Sequence, residues 1–566
     1  NINPHRHIVK SAAIFNKYLR INNCTFDNIW EYAVHPYDSE VFVENGCTFN
    51  NMPMGVNILY TYPQPFAPHI GNASNNPNDF SCSEYGIHST SAGSTDPLNI
   101  VNNNFLGGQV GIQLNGESYF EVHHNDLLSF SSISIEENSA VAAISTGFND
   151  SGIFENNISS SVYGSQAIWE NSGLRYAFNC FGFNTNTDIL VNQGNIHPFQ
   201  EGDRYENNAD EYTEAGNCFT KGVVPEIDNT GNNLINYYIK PGVQPGDCEY
   251  LDNSLNVNRE TGVVADLAAN CGTQNSPGNI NVVTFCGGPF KTKQEILDKI
   301  ASIEAYIDQI KNTTYPSETY KNYLLAKYNR CLKRLLAQIG IIILVPDKEP
   351  TDDPDGLLRM EDYIAFYSAR PEFNYQLLAY GMMIQLNDIN RARTYLNGLL
   401  ADTPEKQDFV WAQNINLDYL DNTTTYTLSP SDEAALLTVA KKRFPLAGYA
   451  RSIYEALTEK KVDLDLPDRS QNGPRSKALV QDELSISSFP NPANDVYSIL
   501  LSGAEKEVEY KSYLVDRMGK VVREFVLEKS VQTDLDISRL NDGIYYLQVL
   551  DEEEKIMYST KVVIIH

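Results

Sequence analysis

Carboxylates spaced along a region of short apolar strands are the residues of this chain whose type could do chemistry. Asp188, Glu155 and Glu170 are candidates for the acid and base of an inverting glycoside hydrolase. Such an enzyme needs two carboxyl groups facing one groove, with room between them for the glycosidic bond and a water molecule. The spacing leaves open whether these three carboxylates meet.

Two further observations weaken an enzymatic interpretation. A lyase acting on uronates needs Lys or Arg to neutralise the substrate carboxylate, yet no Lys or Arg lies between Ile21 and Leu174. The tripeptide Asn186-Thr187-Asp188 resembles one polygalacturonase motif, but no paired Asp, Gly-His-Gly or Arg-Ile-Lys motif follows it. We therefore predict no catalytic residue and retain the hydrolase as the alternative hypothesis.

Composition limits the partners. The chain has 42 basic and 72 acidic residues and a formal charge of −30, which would repel nucleic acid and acidic lipid headgroups. The longest apolar run, 339–345, is far shorter than the roughly 20 residues that span a bilayer. We therefore predict a chain that binds no nucleic acid and does not itself span a membrane.

Histidines and cysteines show no metal-binding pattern. The nine cysteines form no CxxC pair, and no histidine has zinc-ligand spacing. His123 and His124 are neighbours on a predicted strand, so their side chains should face opposite ways rather than chelate an ion. The sequence therefore predicts no metal site and no cofactor.

The pairing of the cysteines is only partly predictable. Cys24 and Cys47 occupy equivalent places in two repeats, and we expect them to stack as small apolar residues, with a disulfide as the alternative. Cys331 lies in a helical pattern and is the candidate for an unpaired thiol. Disulfides among the cysteines at 248, 271 and 286 remain open.

An internal repeat determines the fold expected for residues 1–290. Apolar residues follow Asn-rich turns at intervals of 22 or 23 residues, from Phe26 to Phe49, Phe105 to Leu127 and Ile158 to Phe181. A second series of short strands lies between them, as in MGVNI, YGIHS and VGIQL. This period is typical of a right-handed parallel β-helix with loop insertions.

The Asn-rich turns and one insertion carry polar or aromatic side chains that could be functional or structural. We predict that the turn asparagines stack between coils and are structural: Asn23, Asn103, Asn125, Asn156 and Asn179. Four aromatic residues lie in or beside the Pro-rich insertion, and either pack it onto the coils or stack on sugar rings: Tyr60, Tyr62, Phe66 and Tyr85.

The composition changes near residue 291. Isoleucines at 296, 300, 303, 307 and 310 recur at helical spacing, and Ser317 is a natural N-cap for a second helix. Further helical segments are predicted over 357–369, 372–386, 389–401, 430–442 and 447–460. We expect an α-helical, helical-repeat-like domain at 291–466 that acts as a spacer or interaction module, followed by a linker at 467–484.

Residues 485–566 alternate apolar and polar residues in short runs, which predicts a small antiparallel β-sandwich. Pro490, Asn491 and Pro492 are expected to begin its first strand, and Gly519 to close a hairpin turn.

Four motifs of this segment resemble the type A C-terminal sorting domain of the Bacteroidetes type IX secretion system. They are FPNPANDVYSI, VDRMGKVV, LDISRLNDGIYYLQV and the final KVVII. The resemblance implies export through the periplasm to the cell surface or medium, by way of a translocon and an outer-membrane shuttle barrel. It also implies processing by a surface sortase with attachment to lipopolysaccharide. The recognition residues it implies are Gly543, Tyr545, Lys561, Val562, Val563 and Ile564.

The working hypothesis is a non-enzymatic secreted or surface cargo. Its β-helix would act as a stalk, an adhesin or a glycan-facing surface, and its C-terminal domain as the secretion signal. A polysaccharide-degrading β-helix exported by the same route is the alternative.

Overall fold

The computed structural model describes residues 7–564 apart from 13–18, 73–75, 92–95, 117, 129, 131–137, 183, 185, 203–212, 221–224, 246, 252–253, 263–291, 316, 346–352, 354–355, 423–424, 465–484, 490–495, 503–509, 517–519, 528–531, 542 and 551–555. The chain forms two compact units, residues 1–469 and 470–566.

The first unit begins with a parallel β-solenoid, which confirms the predicted fold: about 8 turns cover residues 19–261, and a first strand at His7–Ala12 pairs with them. Its strands are β1 (His7–Ala12), β2 (Leu19–Asn22), β3 (Thr25–Asp27), β4 (Tyr32–Tyr37), β5 (Val41–Glu44), β6 (Thr48–Leu59), β7 (His69–Ile70), β8 (Asn78–Thr90), β9 (Leu98–Val101), β10 (Asn103–Leu106), β11 (Val110–Asn115), β12 (Phe120–His123), β13 (Asp126–Leu128), β14 (Ser139–Ile144), β15 (Gly152–Phe154), β16 (Asn157–Ser159), β17 (Tyr163–Asn171), β18 (Arg175–Ala177), β19 (Cys180–Gly182), β20 (Thr187–Ile196), β21 (Phe199–Gln200), β22 (Ile227–Asn229), β23 (Ile235–Ile239) and β24 (Val257–Thr261). In the part of the solenoid that the structure describes, these strands form a long sheet of 14, a second sheet of seven and a third of three.

Stacked side chains hold the coils in register. Phe26, Phe49, Phe80 and Phe105 lie one above another, with ring centroids 5.1, 4.6 and 4.8 Å apart. The register also pairs Phe105 with Leu127, and Ile158 with Phe181, as the repeat predicted. Like residues therefore repeat along the core, because each coil buries its apolar side chains against the next.

An asparagine ladder follows the turn beside this stack. The side-chain amide of each member donates to the side-chain oxygen of the next at 2.9–3.0 Å, through Asn78, Asn103, Asn125, Asn156, Asn179 and Asn217. All six are buried, so they are structural, as predicted for four of them. Asn23 is an exception: it is exposed and lies one residue before the equivalent position, which Cys24 occupies.

The cysteines differ from the sequence predictions at Cys331, and Cys248 pairs outside the group of three considered for it. Cys24 and Cys47 are free thiols in adjacent coils, as expected. Cys218 and Cys248 form a disulfide. The prediction for Cys331 is wrong, because this residue is disulfide-bonded, and a helical pattern gives no information on a partner distant in the sequence.

Within the described residues, eight helices follow the solenoid, and they confirm the predicted helical region. They are α1 (Lys293–Asn312), α2 (Glu318–Leu344), α3 (Leu357–Ser368), α4 (Phe373–Gln385), α5 (Ile389–Gly398), α6 (Pro404–Asp421), α7 (Pro430–Ala440) and α8 (Ala447–Thr458). The five isoleucines of α1 are all buried, and the Ser317 hydroxyl accepts from the backbone N–H of Tyr320 as the N-cap of α2. No helix within the described ranges is both long and apolar enough to cross a membrane.

Polar contacts fix the helices to the solenoid. Gln413 of α6 donates from Nε2 to the backbone oxygen of Thr61, in the Pro-rich insertion, at 2.6 Å. Asn416 donates to the Thr61 hydroxyl at 3.2 Å. Tyr60 and Tyr62 are buried beside this contact segment, so they pack the insertion rather than offer their rings to sugars.

In the described residues of the second unit, two antiparallel sheets share one core. Its strands are β25 (Ser485–Phe489), β26 (Val496–Ser502), β27 (Tyr510–Asp516), β28 (Val521–Leu527), β29 (Gln532–Asp536), β30 (Gly543–Leu550) and β31 (Ile556–Ile564). One sheet has the order β25-β26-β29 and the other β28-β27-β30-β31. This arrangement is the small sandwich that the alternating pattern predicted.

Candidate functional site

A groove of about 120 Å³ lies between the outer face of the long sheet and the segment that follows α8. Val56, Ile87 and Ile112 point into the solenoid core, so the residues that follow them along each strand point outward. These outward residues are Asn57, His88 and Gln113, which lie in register on three neighbouring strands. The groove is therefore part of a polar row on the solenoid surface.

The polar groups of this row are uncharged. His88 Nδ1 lies 2.8 Å from the Asn57 side-chain oxygen, and burial lowers the pKa of His88 to about 3, so the imidazole is neutral at physiological pH. Gln166 is 3% exposed and lines the same groove, and its Nε2 has no hydrogen-bond partner among the described residues. Tyr85 adds an aromatic ring. A ligand with hydrogen-bond acceptors would satisfy the Gln166 amide.

The other wall of the groove comes from the helical region. Glu455 of α8 accepts a hydrogen bond from the backbone N–H of Val462 at 3.1 Å, and burial raises the pKa of Glu455 to about 7. Asp463 lines the groove as well, and Leu464 packs on an apolar cluster that includes Trp169. Helix α8 and the segment after it thus lie against the sheet, and they contribute the carboxylates of Glu455 and Asp463 and the ammonium group of Lys461 to the groove.

The three carboxylates proposed from sequence lie elsewhere, outside the groove lining. Asp188 is buried and accepts from the Asn184 amide at 2.7 Å and from the Thr220 hydroxyl at 2.8 Å. Glu170 accepts from the backbone N–H of Ser172 at 3.0 Å, and Glu155 Oε2 lies 3.2 Å from His124 Nε2. Each has its own polar partners, and none of the three lines the groove.

The expectation for His123 and His124 is wrong. Strand β12 ends at His123, and His124 has a positive φ of 56°, which breaks the alternation of side-chain directions. The two Nδ1 atoms lie 2.9 Å apart as a result. Sequence reasoning missed this because it extended the strand by one residue.

Lowering the pH from 8 to 5 is expected to stabilise the protein through four carboxyl groups. Burial raises the folded-state pKa of four carboxyl groups, to about 7 for Asp38, Glu40 and Glu455 and to about 6 for Asp188. Unfolded carboxyl groups titrate near pH 4. Between about pH 4 and the folded pKa values, the folded state keeps these carboxyl groups protonated, whereas the unfolded state has released the protons. The contribution to stability is therefore fully present below about pH 4 and is lost as the pH rises through the folded values.

Two imidazoles, those of His88 and His197, oppose this effect, because burial lowers the pKa of each and the unfolded state then binds protons that the folded state does not. Because the carboxyl groups outnumber the imidazoles, the net change should be stabilising.

The thermal unfolding midpoint of the full chain should accordingly be about 2 °C or more higher at pH 5 than at pH 8. An Asp38→Asn variant should show a smaller difference. An equal or lower midpoint at pH 5 would contradict the raised pKa values of these carboxyl groups.

The residues proposed for sorting lie on one strand pair of the second unit. In the β30–β31 ladder, Gly543 pairs with Ile564 and Tyr545 with Val562. Tyr545, Val562 and Ile564 are buried, and the Tyr545 hydroxyl donates to the backbone oxygen of Asn541 at 2.9 Å.

The other proposed residues lie on β31 or outside the described part of the chain. Lys561 and Val563 occupy the alternate positions of β31. Pro490, Asn491, Pro492 and Gly519 lie outside the described residues.

Comparison with known families identifies the C-terminal segment. Residues 487–565 match the secretion system C-terminal sorting domain. The comparisons with curated proteins and with solved structures give no match. The sorting domain implies that the protein is cargo of the type IX secretion machinery, with which it interacts, and that it is secreted or displayed at the cell surface.

Proposed function

We propose that the exported protein is non-enzymatic and that its solenoid binds uncharged glycans through the groove on the long sheet. The observation that carries this proposal is the row of neutral amides and one neutral imidazole, with the unsatisfied Gln166 amide and the Tyr85 ring beside it. Sugar hydroxyls both donate and accept hydrogen bonds, as amides do, and aromatic rings pack on the apolar faces of sugars. The net charge of −30 disfavours uronate-rich polymers.

The size of the groove restricts what enters it. A cavity of 150 Å³ accommodates a ring the size of benzene, so about 120 Å³ suits part of one sugar ring. The remainder of a glycan would lie along the outer face of the sheet. The proposal is therefore recognition of a terminal or protruding sugar, as an adhesin would need, with the solenoid as its stalk. After delivery by the shuttle barrel, sortase attachment to lipopolysaccharide would anchor it.

Glycan-array binding of the full chain tests this proposal. Neutral glycans should bind and uronate-rich glycans should not, and Tyr85→Ala and Gln113→Ala should each weaken binding about 10-fold. Asn99→Ala, on the seven-stranded sheet, is the matched control and should leave binding unchanged. Equal binding by the groove variants and the parent chain would refute the assignment of the site.

A second candidate is hydrolysis in the same groove. Its specific support is Glu455, whose pKa of about 7 suits a general acid, with Asp463 in the same lining as the second carboxylate. Incubation of the full chain with each bound glycan, followed by chromatography, separates the candidates. Product release that Glu455→Gln abolishes would establish the hydrolase, whereas binding without product supports the non-enzymatic proposal.

A further inference from the structure

One turn of the solenoid brings together two imidazoles and a carboxylate. His123 ends β12, and His124 follows it in the left-handed conformation. Glu155 follows β15 in the next coil and is also left-handed, with a φ of 53°. His123 pairs in register with Phe154, which places His124 beside Glu155. The backbone N–H of His124 donates to the backbone carbonyl oxygen of Glu155 at 3.1 Å.

The backbone at these two positions does not depend on their side chains. The equivalent residue one coil before His124 is Asn102, with a φ of 55°, and the equivalent one coil after Glu155 is Phe178, with a φ of 56°. The Phe178 side chain is buried. Any residue that tolerates the left-handed region serves the turn, and asparagine is among the non-glycine residues that do so most readily. The turn therefore does not explain why histidine and glutamate stand here.

The donor atoms are close enough to share one ion. His123 Nδ1 and His124 Nδ1 lie 2.9 Å apart, and His124 Nε2 lies 3.2 Å from Glu155 Oε2. One ligand atom from each residue can be chosen so that all three lie within 4.8 Å of one another. Two nitrogens bound to one zinc ion at about 2.0–2.1 Å lie roughly 3 Å apart, so small side-chain rotations suffice.

The cluster is reachable from solvent. The side chains of His124 and Glu155 are 22% and 18% exposed. An ion could enter without unfolding the coil, and water could fill the coordination positions that the protein leaves open. The cluster is therefore partly buried and partly accessible to solvent.

We propose that His123, His124 and Glu155 bind a divalent transition-metal ion of the zinc class. Imidazole nitrogens suit Zn²⁺, Ni²⁺ and Cu²⁺, whereas Ca²⁺ and Mg²⁺ prefer sites made wholly of oxygen ligands. Three protein ligands leave at least one position for water. Because the ligands come from two adjacent coils, the bound ion would join these coils and oppose their separation.

The test uses the full chain, stripped of metal with a chelator and titrated with ZnCl₂ by calorimetry. One equivalent should bind, and excess zinc should raise the thermal unfolding midpoint, whereas CaCl₂ and MgCl₂ should do neither. His124→Asn and Glu155→Asn keep a residue suited to the left-handed turn. Each should weaken binding at the site at least about 10-fold and remove the thermal shift.

His69→Asn is the matched control. His69 Nε2 lies 3.2 Å from Asp96 Oδ2 at similar exposure, so it is a histidine–carboxylate pair outside the proposed cluster. The control should bind zinc as the parent chain does. Absence of zinc binding to the parent, or equal binding by the parent and the two asparagine variants, would overturn the proposal and leave a hydrogen-bonded cluster without an ion.

Discussion

Replacing Arg330 by alanine should destabilise the first unit by about 3–5 kcal/mol, the usual cost of leaving a buried charge without its partner. Arg330, on α2, is 3% exposed and donates to Glu201 Oε1 at 2.7 Å. It also lies 3.0 Å from His197 Nε2. Glu201 and His197 belong to the solenoid and are buried too. The variant would leave the buried Glu201 carboxylate without the guanidinium group that donates to it.

A second buried ion pair also joins α2 to the solenoid. Arg334 donates to Asp150 at 2.7 Å, and Arg175 lies 3.3 Å from the same carboxyl group. Burial alone would raise the pKa of Asp150, but Arg334 and Arg175 together hold it below its usual range. Asp150 therefore stays ionised at neutral pH, and α2 is attached to the solenoid by charges that water screens little.

Hydrogen exchange of α2 and urea unfolding of the full chain would measure the effect of Arg330→Ala. Arg391→Ala is the control, because Arg391 makes a two-bond pair with Glu361, at 2.7 and 2.9 Å, on an exposed surface. Exposed pairs contribute about 0–1 kcal/mol. Similar losses in the two variants would show that the buried pair does not hold α2 in place.

These contacts change the interpretation of the helical region. A spacer module, as the sequence suggested, would be joined to the solenoid by a linker alone. In the structure, buried charges on α2 and amides on α6 contact the solenoid, and the segment after α8 forms one wall of its groove. The helices therefore complete the candidate site, whereas the boundary at residue 290 stays a prediction.

What the sequence could predict was whatever repeats locally. The stacking of Phe26 on Phe49 follows from a repeat of 23 residues, and the buried face of α1 from isoleucines three or four residues apart. Both periods are short enough to be recognised in one local stretch of sequence. Helix α6 was missed because its buried face includes Gln413 and Asn416, which blur the apolar period. Strand β14, buried along its whole length, shows no alternation to detect.

The site could not be predicted for a related reason. Its walls come from the first 170 residues and from residues 455–464, so no local pattern joins them. The Arg330–Glu201 pair likewise spans 129 residues. The sorting domain could be recognised from sequence, because its motifs lie within one continuous segment and do not depend on residues distant in the chain.

Deleting residues 561–566 should reduce the exported protein about 10-fold or more and leave the first unit folded. The deletion removes the half of β31 that pairs with Gly543 to Tyr546, together with Val562 and Ile564 from the core of the second unit. These two side chains are worth about 1.5–3 kcal/mol each when buried, enough to unfold a small sandwich. The amounts in the medium, at the cell surface and in the periplasm, measured by immunoblot in a host with type IX secretion, test the prediction.

Single substitutions separate recognition from folding. Val562→Ala removes a core contact, so it should lower both the unfolding midpoint of the second unit and export. Lys561→Ala and Val563→Ala, at proposed recognition positions, should lower export while the midpoint stays unchanged. Lys511→Ala, at an exposed position of β27, is the control for both measurements. If Lys561→Ala and Val563→Ala export normally, β31 serves the fold of the sorting domain and the secretion machinery recognises another surface.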